Sequence, residues 1–104
     1  MLRISKAAAS PSLATLRVEG RVVAEWVPVL ERECRLALQE NGHVRLDLSA
    51  VTFIDSSGLR ALIIGREAAL SQGLEFSVRI RANGQVARVF ALAGLEEALR
   101  VFVT

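Results

Sequence analysis

Val51-Thr52-Phe53-Ile54-Asp55-Ser56-Ser57-Gly58-Leu59 is the stretch on which the fold turns. Its first four residues are bulky and suit the end of a strand. Asp55, Ser56 and Ser57 then change the grammar. Each carries a short side-chain oxygen that can accept a hydrogen bond from the first N–H groups of a helix, so a helix starts here. Leu59, Leu62, Ile63, Arg66, Ala69 and Leu70 mark one face of that helix, and Gly73 closes it. Upstream, Val44-Arg45-Leu46-Asp47-Leu48 alternates apolar with polar, the period of a half-buried strand.

The same two periods organise the rest. Met1–Lys6 reads as a short edge strand, and residues 7–12, small and containing Pro11, read as a loop. Leu13–Glu19 alternates and stops at Gly20. Trp26, Leu30, Cys34 and Ala37 recur at helical spacing within residues 24–39, with Val29 and Leu38 widening the stripe. Pro28 is tolerated only in a first helical turn, and Asn41-Gly42 supplies the stop. Leu74, Phe76, Val78 and Ile80 alternate with Glu75, Ser77, Arg79 and Arg81 before a turn at Asn83-Gly84. Val86, Val89, Phe90 and Ala93 mark a last clear helix, ended by Gly94. Leu95–Leu99 reads as a further helical turn and residues 100–104 as a strand or tail. The order β-β-α-β-α-β-α, with a weak final element, predicts one α/β domain over residues 1–104. It predicts a mixed or mainly parallel sheet of roughly four to five strands with about four helices.

Composition narrows the function. With 104 residues, 52% of them hydrophobic, the chain can bury a core. At this size folding removes roughly 60–70% of the unfolded surface, enough for a monomer without disulfides or metal. One cysteine excludes an internal disulfide and a cysteine-rich metal site. Net charge is +2, with seven basic and six acidic groups in residues 1–50 and six and five in residues 51–104. No half and no run is strongly basic, so nucleic acid is not an expected partner. The apolar stretches are too short for a membrane span. Met1–Lys6 lacks the apolar core of a signal peptide. A soluble, cytoplasmic protein is expected.

The candidate site is the strand-to-helix junction, where open α/β sheets place functional groups. Free N–H groups at a helix start favour an anion, and a phosphate on Ser56 would bring a charge of about −1.5 to −2 to them. Asp55 beside it would repel that charge. From the residues alone, capping is the commoner role for Asp55, Ser56 and Ser57. A receiver-like domain phosphorylated on Asp55 is an alternative, but it needs an acidic pair after the first strand to hold Mg²⁺, and Met1–Glu19 supplies none. A serine hydrolase is weaker: the Gly-x-Ser-x-Gly elbow is absent, and His43, read as solvent-facing, is the only histidine. Cys34 reads as a core residue and Trp26 as core or a cover over the sheet edge. Arg79, Arg81 and Arg88 read as solvated, and Gly84 with Gly94 forms no phosphate loop.

Residues 51–59 resemble the signature of the STAS domain of anti-sigma factor antagonists. Val44–Leu48 with Ser49-Ala50 resembles that family's strand and connector, and residues 86–95 resemble its third helix with its Gly-Leu ending. The resemblance covers about residues 13–99 and implies a STAS-like single domain. It implies a partner anti-sigma factor that is also an ATP-dependent serine kinase, and a phosphatase that reverses the modification. Ser56 would be the phosphorylated residue, and Asp55, Ser56, Ser57, Gly58, Leu59 and Arg60 the partner-binding segment. The chain would be substrate and binding partner, not catalyst, and no cofactor or metal is implied. A homodimer is compatible with this reading. So is a second role, as a non-phosphorylated STAS-like scaffold or subunit of a signalling or transport complex. Two positions depart from the family pattern. Gly20 is followed by Arg21-Val22-Val23 where many members are acidic, and Arg60 stands where glycine is common.

Overall fold

A computed structural model describes residues 1–10, 12–95, 99 and 101–103, with residues 8–10 described for their backbone only. Five strands form one mixed sheet in the order β1-β2-β3-β4-β5. They are β1 (Leu2–Ser10), β2 (Leu13–Val22), β3 (His43–Ile54), β4 (Phe76–Ile80) and β5 (Val101–Val103). β1 pairs antiparallel with β2, and every later neighbour is parallel. Helices α1 (Val27–Glu40), α2 (Ser56–Ser71) and α3 (Gln85–Ala93) connect the parallel strands. Each crossover joins adjacent parallel strands, and the sheet grows in one direction. Right-handed crossovers therefore put all three helices on one face.

Burial follows that geometry. Leu16, Val18, Leu46, Leu48, Phe76 and Val78 point to the helices and are sealed. Arg17, Arg45 and Arg79 alternate with them and stand exposed on the other, uncovered face. Parallel sheets usually carry helices on both faces. Here polar residues at alternate positions let one face meet water. On that face Asp47 lies 3.4 Å from Arg17 and accepts hydrogen bonds from the Ser49 hydroxyl and amide at 2.7 and 3.0 Å.

Several boundaries move from their sequence-based positions. β1 continues through Ser10, because Ala7 and Ala8 pair with Thr15 and Ala14 of β2. The ladder of a strong neighbour overrides the loop-like composition. β2 runs on past Gly20, which takes a φ of +102° that few other residues adopt, at a register shift. Ala24–Trp26 forms a 3-10 turn, and α1 proper begins at Val27 with Pro28 in its first turn. Three α-helices stand among the described residues, against the expected four or so. Of the further turn expected over Leu95–Leu99, residues 96–98 lie outside the described set, although the Leu99 amide donates to the Leu95 carbonyl at 2.9 Å. Of the strand or tail expected over residues 100–104, Val101–Val103 form a strand, β5. In α2 the buried stripe is Gly58, Ala61, Leu62 and Ala69, whereas Leu70 is exposed. The stripe is rotated because Gly65 lets the helix approach the Phe76 ring, where an added Cβ would meet ring atoms at 3.2 Å.

Candidate functional site

β3 delivers the site. Its first half pairs with β4 in unbroken register from Val44↔Phe76 to Asp47↔Arg79. Its second half pairs with β2 through two register shifts, one between Arg17 and Glu19 and one between Gly20 and Arg21. In each shift β3 carries the extra residue. Buried positions accordingly pass from Val44, Leu46 and Leu48 to Val51 and Ile54, a change of spacing from two to three. These are β-bulges, which raise local twist and re-aim the chain. The expected break at Ser49-Ala50 is one of them, inside one continuous strand.

At the end of β3 the Asp55 amide donates to the Val22 carbonyl at 3.2 Å, so β2 holds the junction. Asp55 is extended (φ −106°, ψ −177°) and caps α2: its Oδ1 accepts the Gly58 amide at 3.0 Å. Its carbonyl accepts the Leu59 amide at 3.0 Å, the first regular helical bond. The cap thus uses one of the helix's free donors, and the Ser56 and Ser57 amides belong to the first turn that α-helical bonding leaves open. Ser56 is exposed, Ser57 and Leu59 are half-buried, Gly58 is buried and Arg60 is exposed. The six residues run consecutively over the cap and first turn of α2, with Ser56 and Arg60 exposed.

Gly58 is there for space. A Cβ on it would lie 2.7 Å from the Val22 carbonyl oxygen, 2.7 Å from Ile54 Cγ1 and 2.8 Å from Val22 Cγ1. Only a glycine lets α2 start against the ends of β2 and β3. Composition placed Gly58 in the motif but gave no sign of this contact.

Two further residues escaped sequence reasoning. Gln85, the first residue of α3, makes a double hydrogen bond with Ile54. Its Oε1 accepts the Ile54 amide at 2.9 Å, and its Nε2 donates to the Ile54 carbonyl at 2.8 Å. A glutamine after Asn83-Gly84 carries no periodic signal for this. Arg21, one of the departures from the family pattern, stacks its guanidinium 4.7 Å from the Phe53 ring centroid. Phe53 opposite Arg21 in the ladder was the available signal, legible only with the register known.

A crevice of about 420 Å³ opens where β3 and β4 part, between residues 48–52 and the 81–86 segment. A groove of about 390 Å³ runs between α1 and α2, lined by Leu30, Cys34, Leu38, Ala61, Leu62 and Gly65. Cys34 is buried as expected, and burial, helped by Glu33 and Glu31, pushes its thiol up to about 12. Neither cavity is lined by Asp55, Ser56 or Ser57. His43 is not the solvent-facing loop residue expected. It opens β3, is half-buried, and its Nδ1 accepts the Glu75 amide at 3.0 Å. It lies at the opposite end of a 12-residue strand from Ile54, so it cannot act as a base for Ser56. Trp26 closes the 3-10 turn before α1 and is half-buried, outside the buried core. Arg79 lies on the open sheet face, Arg81 at the crevice and Arg88 on α3, and all three are exposed, as expected. Among the described residues no three His, Cys, Asp or Glu side chains group as metal ligands. No described helix is long and apolar enough to cross a membrane.

Comparison with known proteins places this arrangement. An anti-sigma factor antagonist from Mycobacterium paratuberculosis superposes with a TM-score of 0.79 at 22% identity, over 98% of this chain and 86% of that one. A putative anti-sigma factor antagonist from Thermotoga maritima gives 0.77 at 20% identity, over 97% and 86%. The Bacillus cell fate determinant SpoIIAA in its phosphorylated form gives 0.71 at 13% identity, over 98% and 91%. At these identities the likeness is one of fold. The family model described as "Mlab, STAS domain" matches residues 5–103, nearly the whole sequence. The chain belongs to the STAS domain family.

Proposed function

We propose that this STAS domain is an anti-sigma factor antagonist switched by phosphorylation of Ser56. The observation that carries the reading is the exposed Ser56 at the first position of α2, next to a cap that already engages the Gly58 amide. The partner is an anti-sigma factor with serine kinase activity that binds the ledge 55–60 in its unmodified state. In the transfer, Ser56 Oγ forms a bond to the γ-phosphorus of ATP as the bond to ADP breaks. The hydroxyl proton passes to a base of the kinase, and a phosphatase later hydrolyses the ester. The chemistry is the partner's; this chain supplies the hydroxyl and the surface.

The physics of the switch is local. A phosphate at a helix N-terminus gains about 0.3–1 kcal/mol from the helix dipole. Asp55 opposes it by like-charge repulsion, and its Oδ1 is already engaged by the Gly58 amide. Both effects are confined to the first turn of α2, away from the buried core, so the domain survives modification while its ledge changes from a neutral hydroxyl to a hydrated dianion. A partner that must exclude water there is expelled. The test is incubation with ATP and an anti-sigma factor serine kinase, followed by mass spectrometry to locate the phosphate. Phosphate on Ser56, and loss of partner binding in Ser56→Asp with an unchanged circular dichroism spectrum, are expected. Absence of phosphate, or phosphate only elsewhere, overturns the reading.

One observation favours a second role. Arg21, stacked on Phe53, adds a cation at the neighbouring end of the sheet, where many members of the family are acidic. A partner with an acidic face suits that edge, and the chain would then be a non-phosphorylated subunit of a signalling or transport complex. Equal partner affinity of wild type and Ser56→Asp is its signature.

A further inference from the structure

We propose that Gln85 is the positioning residue of the junction, fixing the backbone from which Ser56 is presented by standing in for a strand that the sheet lacks there. The proposal rests on the reading of Ser56 as the modified residue and adds what holds it in place.

A parallel strand inside a sheet is normally bonded on both sides. β3 has such support only in its first half: its register with β4 ends at Asp47↔Arg79. Beyond that point the 81–86 segment swings away and the crevice opens. The last residue of β3 is nonetheless satisfied on the open side, because the Gln85 amide offers Ile54 one acceptor and one donor, at 2.9 and 2.8 Å. A primary amide is the side-chain group closest in shape and polarity to a peptide unit, and here it serves as one rung of a ladder.

The rung is anchored. Gln85 opens α3, whose Val86 and Phe90 are buried in the core, so the helix is not free to drift. Ile54 is also buried, and it immediately precedes the cap residue Asp55, whose amide is held from the other side by the Val22 carbonyl at 3.2 Å. β2, α2 and α3 therefore meet at a single peptide, with Gly58 keeping α2 close to Val22 and Ile54. Without the Gln85 amide, Ile54 would keep its side chain in the core but lose the bonds that set its peptide plane. Rotation of that plane tilts the first turn of α2 and the donors around Ser56. The Asn83-Gly84 turn, which delivers Gln85, thereby becomes a point from which the site is tuned without being touched.

The test uses the full chain and needs no partner. Gln85→Met keeps the size and removes both hydrogen bonds. Exchange of the Ile54 amide, followed by NMR, is expected to quicken roughly tenfold relative to the core amides of β2, the fold-change that losing a typical hydrogen bond produces. The second readout is a thiol placed by Ser56→Cys. A thiol at a helix N-terminus titrates below the free value of about 8.5. Its pKa, from the pH profile of alkylation by iodoacetamide, is expected to rise toward that value when Gln85→Met is added. Cys34, with its thiol pushed up to about 12, stays silent. Gln85→Glu, which keeps an acceptor for the Ile54 amide, is expected to bring exchange back toward wild type. Gln85→Ala, which removes both bonds with a small, helix-favouring residue, is the reporter if Gln85→Met does not fold. Unchanged Ile54 exchange overturns the proposal. So does faster exchange with an unmoved thiol pKa, and so does a uniform rise across all amides. Failure of the kinase assay on wild type would overturn the phosphoswitch and leave these results standing.

Discussion

The two halves of β3 are built differently. His43–Asp47 lies between two parallel partners, alternates cleanly and packs Val44 and Leu46 against the helices. Leu48–Ile54 is bulged twice, backed by β2 alone along most of its length, and finished by a side chain from α3. The first half is support: its stability comes from apolar burial and ladder bonds shared with neighbours. The second half is a pointing device: each bulge turns the chain, and the last residue hands over to a capped helix at a solvent-exposed serine. Regularity and presentation are separated along one strand, so the molecule can be strained or modified at one end without loosening the other.

The separation can be broken most severely in the first half. Leu46 is fully buried, and Leu46→Ala is expected to cost about 2–5 kcal/mol through lost burial and the cavity left behind. Urea unfolding should show the loss, while the affinity of the folded fraction for a ledge-binding partner should hold. In the second half, Gly58→Ala forces a methyl against the Val22 carbonyl and the Ile54 side chain. Overpacking of this kind costs about 1–3 kcal/mol. Here partner affinity should fall together with stability, because α2 must back away from β2. A variant that loses stability but binds unchanged would show that the ledge tolerates a displaced helix.

This division also explains what could be read in advance. Leu46 and Val78 were legible as core because two-residue alternation is a direct image of a strand with one wet face. The cap at Asp55 was legible because N-cap chemistry is local in sequence. Val51–Ile54 was legible as a strand end from its bulk, but its continuity with residues 43–48 through Ser49-Ala50 was not, since bulges break the alternation by which strands are recognised. The extension of β1 through Ser10 was hidden because small residues join a ladder only when a neighbour provides it. Gln85 and Arg21 act on residues 31 and 32 positions away, and no local pattern encodes such pairings. The space at Gly58 was hidden for the same reason: it is defined by Val22, which reaches the site through the sheet.

A smaller effect sharpens the contrast at the cap. Asp55→Ala removes the acceptor for the Gly58 amide and is expected to cost about 0.5–2 kcal/mol, the range for a lost N-cap. Amide exchange should rise at residues 56–59 first and leave residues 43–47 protected, since the first half of β3 does not depend on the cap. Equal loss of protection along the whole strand would mean that its two halves open as one unit.

The smallest effect belongs to the first half and depends on pH. Burial alone would raise the Asp47 carboxyl, but hydrogen bonds from the Ser49 side chain and amide, together with the Arg79 and Arg17 guanidiniums, hold it below its ordinary value. A carboxylate whose folded pKa is depressed adds stability that is complete above its unfolded value of about 4 and is lost as pH falls through the folded value. Asp47 faces the open side of the sheet, so solvent screening keeps the contribution below about 1 kcal/mol. Asp47→Asn should therefore unfold at a lower urea concentration than wild type at neutral pH, and the gap should close in acid once the wild-type carboxyl is protonated. A gap that persists in acid would assign the loss to the geometry of the Ser49 turn instead of charge. Because that turn opens the first bulge of β3, the same result would tie the two halves of the strand together through residue 47.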